Sequence, residues 1–357
     1  MHWSLLADKN NHLSKMGCSV GNRHPKVKNM INIVGGSGFI GTRLSRMLAS
    51  TDTAFKIIDK AASQAFPVKV ALADVRSTDE LMSALSEDAT LINLAAVHRD
   101  DVRPLSLYDE VNVGGAKNIC EVARKKNIRK IIFTSSVAVY GFAPLGTDES
   151  GKINPFNDYG RTKAEAEQVF KAWQEESPQN RTLVIVRPTV VFGEQNRGNV
   201  YNLLKQIAIG RFLMIGNGNN RKSMAYVENI AAFIIHSLRF SPGIHIFNYI
   251  DKPDFTMNSL VAHVRKLMGK NEDVGMRLPY IVGLCGGKFF DFISLVTGKS
   301  FPISAIRVKK FCANSVYKTS VEKTEFVCPV ALTDALSRTV KYEFLEKNEE
   351  EGIFITE

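Results

Sequence analysis

A glycine-rich turn at residues 35–41 limits the possible folds of this 357-residue chain more than any other feature. The apolar run Ile31–Val34 predicts a strand, and an amphipathic helical pattern starts directly after the turn. Glycines here permit a tight turn, a close approach of backbone N–H groups to a pyrophosphate, and close packing of helix on strand. Asp59 ends the next predicted strand, where its carboxylate can accept hydrogen bonds from both ribose hydroxyls of NAD. The pattern predicts a dinucleotide-binding unit for NAD, because the same charge would repel the 2′-phosphate of NADP.

Apolar runs alternate with helical patterns through the first two thirds of the chain. Continuous apolar strands separated by helices are typical of a parallel sheet covered on both faces. We therefore predict an α/β fold, with a Rossmann-like doubly wound parallel sheet over residues 30–187. Residues 188–342 are predicted to form mainly a smaller, mixed α/β substrate-binding lobe, with some chain returning to the first domain. The predicted strands are Ile31–Val34, Phe55–Ile58, Val68–Leu72, Thr90–Leu94, Lys130–Thr134 and Thr182–Val186, and helices are predicted near 39–50, 78–86, 106–126 and 158–176.

The two ends of the chain differ from its middle. Residues 1–29 are polar, basic and aperiodic, and we interpret them as a disordered leader or an over-long start with Met30 as the initiator. Residues 343–357 form an acidic tail. The net charge of +10 is concentrated in the leader and in residues 252–342. Basic regions suit nucleic acid, an anionic membrane or a phosphate-bearing substrate. No nucleic-acid partner is predicted, because no zinc-finger or RNP-like motif accompanies them.

Cysteine usage and hydropathy bear on the compartment. Five cysteines without a C-x-x-C pair predict neither a disulfide framework nor a metal site, and they favour the reducing cytoplasm. We expect Cys120, Cys285, Cys312 and Cys328 to be buried apolar side chains. The apolar stretch Leu278–Gly287 is about ten residues long, and a spanning helix needs about 20.

A serine, a tyrosine and a lysine form a candidate catalytic set. Ser136 follows the strand Lys130–Thr134, at the sheet edge where doubly wound folds bind ligands. Tyr159 and Lys163 are four residues apart on a predicted helix, so phenol and ammonium share one face. A phenol with a pKa of about 10 becomes a base near neutrality if a cation about 4 Å away lowers that pKa by about three units. Ser136 would then hold a substrate hydroxyl while Tyr159 removes its proton.

Together these motifs resemble the extended short-chain dehydrogenase/reductase family, whose members keep tightly bound NAD and act on nucleotide- or lipid-linked sugars. The resemblance makes Ser136, Tyr159 and Lys163 the catalytic residues and directs Arg221 to the substrate's phosphates. The cofactor contacts expected from motif and resemblance are Gly35, Gly36, Gly38, Phe39, Ile40, Gly41, Asp59, Asp74, Val75, Leu94, Ala95, Ala96, Asn112, Tyr159, Lys163, Arg187 and Pro188. The expected substrate contacts are Ser136, Thr189, Asn199 and Arg221.

The family catalyses several reactions, and residues beside the catalytic serine separate them. Its 4,6-dehydratases carry acids where this chain has Val137 and Ala138, and its decarboxylases carry Glu at the second position. Water elimination therefore has no carboxyl donor here. The resemblance implies NAD-dependent 4-epimerisation through a 4-keto sugar, an isomerase reaction. An NAD(P)H-dependent 4-keto-sugar reductase and a catalytically silent dinucleotide-binding protein are the alternatives.

Longer sequence segments indicate which molecule carries the sugar. Segments at 98–102, 198–206, 222–227 and 307–312 resemble family members that convert N-acetylglucosamine to N-acetylgalactosamine on a polyprenyl diphosphate, for bacterial O-antigen and other surface polysaccharides. UDP-N-acetylglucosamine or UDP-glucose is the alternative substrate. Val190 stands where UDP-sugar epimerases commonly carry Asn, and a valine cannot hydrogen-bond a nucleotide diphosphate.

The C-terminal region carries apolar and basic side chains that suit a membrane surface. Leu278–Thr297 is dense in Ile, Val, Leu and Phe. Its aromatics Phe289, Phe290 and Phe292 are followed by the cations Lys299, Arg307, Lys309 and Lys310. An apolar surface rimmed by cations can sit at an anionic membrane and admit a polyprenyl tail, although these aromatics can equally well pack the small lobe. We expect a peripheral protein on the inner face of the bacterial inner membrane, and the resemblance allows a homodimer formed through two long helices.

Overall fold

The computed structural model describes residues 29–99, 102–297, 304–348 and 352–354. Residues 1–28 of the predicted leader, Lys299, and residues 349–351 and 355–357 of the acidic tail lie outside the described residues. Within that tail, the backbone of Phe354 forms hydrogen bonds with the backbone of Gln195 and Arg197, and its ring lies 5.7 Å from the ring of Phe39.

Seven strands form a parallel sheet at the centre of the molecule. Their spatial order is β10-β6-β5-β4-β1-β2-β3, so the direction of the connections reverses between β1 and β4. Ligands bind at such a point in doubly wound folds, outside the carboxyl ends of the strands. The strands are β1 (Ile31–Val34), β2 (Phe55–Asp59), β3 (Val70–Leu72), β4 (Thr90–Asn93), β5 (Lys130–Thr134), β6 (Thr182–Pro188) and β10 (Gly243–Tyr249). The fold prediction is confirmed, and β10 is the returning strand.

Helices cover both faces of this sheet, each over its own apolar core. Helices α1 (Phe39–Ser50) and α7 (Val227–Ser237) pack on one face. On the other face lie α2 (Thr78–Ala84), α3 (Ser106–Tyr108), α4 (Gly115–Lys125) and α5 (Asp158–Glu175), with a π-helical turn, Asp109–Gly114, joining α3 to α4. The central strands β1, β4, β5 and β6 are continuous, largely apolar runs because both of their faces are buried.

A smaller lobe surrounds the carboxyl end of β6. Its three-stranded sheet has the order β11-β9-β7, and β12 pairs with β8. These strands are β7 (Val190–Phe192), β8 (Met214–Ile215), β9 (Arg221–Tyr226), β11 (Asp251–Thr256) and β12 (Arg277–Leu278). The helices of this lobe are α6 (Asn199–Ala208), α8 (Met257–Leu267), α9 (Tyr280–Thr297), α10 (Ala305–Cys312) and α11 (Leu332–Phe344).

Helix α9 is longer than the apolar stretch recognised in the sequence. Lys288 and Asp291 interrupt the apolar run without ending the helix, and the Asp291 carboxylate accepts a hydrogen bond from the Ala305 backbone at the start of α10. Its mean hydropathy is 1.4 and only 11% of it is buried, and among the described residues α9 alone passes a length and composition test for crossing a membrane.

The cysteines depart in part from the predicted burial. Cys120 is buried as predicted, and Cys312 is half-buried. The prediction was wrong for Cys285, on the outer face of α9, and for Cys328, whose thiol lies 3.0 Å from an Asp251 carboxylate oxygen.

Candidate active site

The glycine turn lies at the point where the sheet's connections reverse. Gly35 has a φ of +76°, and a Cβ there would lie 2.5 Å from the backbone nitrogen of Ala95, which follows β4. A Cβ on Gly41 would come equally close to the Cα of Gly36. Only glycines fit these two approaches, so the first helical turn of α1 is held directly against the turn. Leu94, Ala95 and Ala96 thus border the predicted cofactor site.

Asp59 lies beside this turn, as the motif predicts. One of its carboxylate oxygens accepts a hydrogen bond from the Ser37 backbone N–H at 3.0 Å, and the other accepts one from Ala61 at 3.1 Å. Each oxygen keeps a further lone pair for a ribose hydroxyl. The first N–H groups of α1, from Phe39 to Gly41, have no acceptor within the helix and suit a pyrophosphate. The chain's own residues therefore fit NAD.

Two of the predicted cofactor contacts, Asp74 and Val75, follow β3. The Asp74 carboxylate pairs with the Arg76 guanidinium at 2.7 Å, and this hydrogen-bonded pairing lowers the pKa of Asp74. The neighbouring Val75 is buried, and a Cβ on Gly115 would lie 2.9 Å from its side chain. The sequence analysis missed the partner of Asp74, although Arg76 is only two residues away.

The serine and tyrosine segments are in contact. Ser136 caps a short 3-10 turn, and its hydroxyl accepts a hydrogen bond from the Ala138 backbone at 3.1 Å. Tyr159 is in the first turn of α5, and a Cβ on the following Gly160 would lie 2.5 Å from the carbonyl oxygen of Ala138. The start of α5 is therefore packed against the backbone that carries Ser136.

Lys163 lies one turn further along α5 and is almost fully buried, with 2% of its surface exposed. Its ammonium lies 4.5 Å from the ring centre of Phe133 on β5. Burial lowers the pKa of Lys163 from 10.5 to about 7, while the charge of Glu167 opposes this shift. A group whose pKa is so close to 7 can gain or lose a proton near physiological pH.

A buried ion pair stands behind these residues, and the sequence analysis missed it. Glu167 accepts hydrogen bonds from Ser135 at 2.6 Å and from two nitrogens of Arg187 at 2.8 and 2.6 Å. A third nitrogen of Arg187 donates to the Tyr140 hydroxyl at 2.6 Å. The Arg187 guanidinium thereby binds α5 to β6, and the cofactor contact expected of Arg187 stays a prediction. The four-residue spacing from Lys163 to Glu167 could have drawn attention to Glu167, but no local pattern indicates Arg187 as its partner.

Asn112 joins three elements near the catalytic helix. Its side-chain oxygen accepts a hydrogen bond from the Val97 backbone at 2.8 Å, and its amide donates to the Val97 carbonyl at 3.0 Å and to the Thr162 hydroxyl at 2.9 Å. The residue lies in the π-helical turn, a feature frequent at functional sites. Asn112 thus fixes the segment after β4 against α5.

The predicted substrate residues lie in the smaller lobe. Thr189 is buried directly after β6, and Arg221 is exposed at the start of the neighbouring β9. Val190 on β7 pairs with Met224 on β9, so Thr189, the residue before β7, is offset by two residues from Arg221 in this parallel pairing. Asn199 is exposed as the first residue of α6, a separate element outside this strand pairing.

A pocket of about 400 Å³ lies in the smaller lobe, and Asn220, the residue before Arg221, is among the residues that line it. It lies between the loop after β8 and the helices α9 and α10. The side chains that line it include one cation, Lys309, the two amides Asn217 and Asn220, and the ring of Tyr280. This composition suits a phosphorylated ligand with an apolar continuation.

Comparison with known proteins identifies relatives of this chain. Residues 31–248 match the model of the NAD dependent epimerase/dehydratase family. The N-acetyl-α-D-glucosaminyl-diphospho-ditrans,octacis-undecaprenol 4-epimerase of Escherichia coli O157:H7 is 47% identical over 327 residues, which cover 91% of this chain and 98% of that relative.

Solved structures share the fold at low identity. A UDP-N-acetylglucosamine 4-epimerase from Methanobrevibacter ruminantium M1 in complex with UDP-N-acetylmuramic acid has a TM-score of 0.69 at 23% identity, covering 88% of this chain and 97% of its own. The UDP-glucose 4-epimerase of Thermus thermophilus in complex with NAD has a TM-score of 0.66 at 18% identity, covering 88% and 98%. The family match and the E. coli relative agree with the glycine turn and the Ser136, Tyr159 and Lys163 segments, and this chain belongs to the NAD dependent epimerase/dehydratase family.

Proposed function

We propose that this protein is an NAD-dependent isomerase that interconverts N-acetylglucosamine and N-acetylgalactosamine carried on diphospho-undecaprenol, by epimerisation at C4. The observation that carries the proposal is the 47% identity to a relative of that activity along 98% of its length. Two features of the site support it: the dinucleotide cradle around Gly35, and Val137 and Ala138 in place of the acids that elimination requires.

Each catalytic residue has a defined task. The phenolate of Tyr159 accepts the proton of the C4 hydroxyl and later returns it, and Ser136 holds that oxygen by a hydrogen bond. Lys163 stabilises the phenolate electrostatically, which is effective because the ammonium is buried. NAD, when bound, supplies the acceptor and donor of hydride at C4. Phe39 to Gly41, Asp59, and the backbone of Leu94 to Ala96 would hold the cofactor.

The smaller lobe would hold the carrier. Arg221 and the pocket cation Lys309 suit a diphosphate, and the amides of Asn217 and Asn220 add donors. Val190, exposed on β7, offers no hydrogen bond to a nucleotide at the position where UDP-sugar epimerases commonly have Asn. The lobe therefore favours the lipid-linked sugar over a UDP-sugar.

The substrate also bears on location. A polyprenyl carrier lies in a membrane, so we propose that the protein works at the cytoplasmic side of the bacterial inner membrane as a peripheral protein, in O-antigen or lipopolysaccharide synthesis. We also propose that the protein forms a homodimer.

The deciding experiment compares two donors. Purified protein is incubated in detergent with N-acetylglucosaminyl-diphospho-undecaprenol or with UDP-N-acetylglucosamine, and the released hexosamine is analysed for N-acetylgalactosamine. We expect conversion of the lipid-linked sugar without added cofactor, and none with Tyr159→Phe. Conversion of the UDP-sugar alone would reject the proposed carrier, and stoichiometric consumption of added NAD(P)H would indicate a reductase.

A further inference from the structure

Helix α9 has two faces of opposite character. Its inner face carries glycines that allow close contact: a Cβ on Gly283 would lie 2.6 Å from the side chain of Ile215, and one on Gly287 would lie 2.7 Å from the Ala305 backbone. Its outer face carries large apolar side chains that are mostly exposed. They are Ile281 (72% exposed), Phe289 (61%), Phe292 (64%), Leu295 (84%) and Val296 (69%). The spacing of these residues forms one continuous stripe along the helix.

The helices α9 and α10 form a hairpin that cannot cross a bilayer. Directly before α9, β12 pairs with β8 in the smaller lobe. Directly after α10, the Ser315 backbone N–H donates to the carbonyl of Arg221 on β9. Both ends of the hairpin are thus fixed to the same lobe. The eight residues of α10 extend only about 12 Å and include three cations, too short and too polar to return across about 30 Å of hydrocarbon.

The charges of the hairpin suit an anionic surface. Its two helices carry four cations, Lys288, Arg307, Lys309 and Lys310, and a single carboxylate, Asp291, which is turned towards α10. Lys288 lies within the apolar stripe, where a long side chain can extend its ammonium to lipid headgroups. A second copy of this chain would bring these cations against their counterparts, whereas anionic lipid neutralises them.

We propose that the α9–α10 hairpin is a membrane anchor that enters one leaflet, with the outer face of α9 among the acyl chains of an anionic bilayer. Tyr280, the first residue of α9, and Lys309 of α10 also line the pocket of the smaller lobe that contains Asn217 and Asn220. The anchoring element is therefore one wall of the site assigned to the diphosphate. This link to the carrier rests on the proposed function, but binding of the hairpin to lipid does not.

Vesicle flotation tests the anchor without any substrate. The full chain is mixed with vesicles of phosphatidylcholine alone or with an equal part of phosphatidylglycerol. The double variant Phe292→Glu/Leu295→Glu changes the outer face, and Val68→Glu/Leu72→Glu places the same charges on exposed apolar residues of the other lobe. We expect the wild type and the control to float with phosphatidylglycerol vesicles, and the α9 variant to bind at least about tenfold more weakly.

Three results would overturn the anchor. They are equal flotation of the α9 variant and the wild type, equal binding of the wild type to both lipid mixtures, and a wild-type dimer that the α9 variant dissolves while neither binds vesicles. Circular dichroism melting confirms that each variant is folded. Flotation that persists when the lipid-linked sugar is not converted would reject the proposed function and leave the anchor in place. Conversion in detergent without flotation would do the reverse.

Discussion

The region to which we assign the reaction (the reaction end) and the region to which we assign the carrier (the carrier end) are built in opposite ways. At the reaction end, Lys163, Glu167 and Arg187 are at most 2% exposed, and each charge has a partner or a ring against it. At the carrier end, Arg221 is exposed and the hairpin presents apolar side chains outward. Proton transfer needs fixed geometry and weak screening, which burial provides. A large, lipid-borne substrate needs an open approach, so stability and function should separate between these ends.

The largest effect is expected at Tyr159, where the comparison predicts lost activity without lost folding. Tyr159→Phe removes the hydroxyl that moves the substrate's proton, and the epimerisation rate should fall by about 10²–10⁴-fold. The measurement is the initial rate of N-acetylgalactosamine formation on the lipid-linked sugar. Ser136→Ala, which keeps the base, should retain more activity than Tyr159→Phe; the opposite ranking would reassign the base.

Glu167 tests whether the reaction end is held by its buried ion pair. Glu167→Gln leaves the Arg187 guanidinium buried without its counter-charge, and it should lower the free energy of unfolding by about 3–5 kcal/mol. The matched control lies just beyond the other end of the same helix: Glu176 pairs with Arg124 and with Arg181, and the side chains of Glu176 and Arg124 are more than 40% exposed. Glu176→Gln should cost about 1 kcal/mol or less. Equal losses in urea denaturation would show that burial does not distinguish the two pairs.

The buried ammonium of Lys163, to which we assign a catalytic role, should lower the free energy of unfolding. Burial lowers the pKa of Lys163 from 10.5 to about 7, so the unfolded chain binds this proton more tightly than the native state does. The free energy of unfolding is therefore reduced, and this reduction is complete at and below about pH 7. Lys163→Met should therefore raise the free energy of unfolding near neutrality by up to about 5 kcal/mol, while it lowers the epimerisation rate. The advantage over the wild type should shrink as pH rises towards 10.5. A constant advantage across that range would mean that packing, not charge, causes it.

The sequence predicted the reaction end better than the carrier end. Local rules were sufficient for the glycine turn, for Asp59 at the end of β2 and for the i, i+4 pair on α5, because each depends on residues close in the chain. The partner of Glu167 is Arg187, which is set by packing of α5 on β6 and has no local signature. Strand β10 was likewise missed as a strand, since its place beside β6 depends on a long connection.

The sequence analysis did not predict the α9–α10 hairpin, for a different reason. The charges at Lys288 and Asp291 interrupt the apolar run, and from sequence alone they end it. In the structure, Asp291 caps α10 and Lys288 lies among exposed apolar residues, so neither charge is buried unpaired. The sequence did suggest an apolar surface rimmed by cations, but it could not say which side of the helix faces outward.

The smallest effects are expected on α9, where neighbouring glycines test which side packs. Gly286 has no atom within 4 Å of an added Cβ, so Gly286→Ala should stabilise the helix by about 0.5–1 kcal/mol through its higher helix propensity. Gly287→Ala would push a methyl group against the Ala305 backbone and should destabilise the hairpin by about 1–2 kcal/mol. Amide hydrogen exchange across residues 280–297 measures both changes locally. If the two alanines shifted exchange in the same direction, α9 would not pack on α10 through Gly287, and the outer face assigned to lipid would be wrong as well.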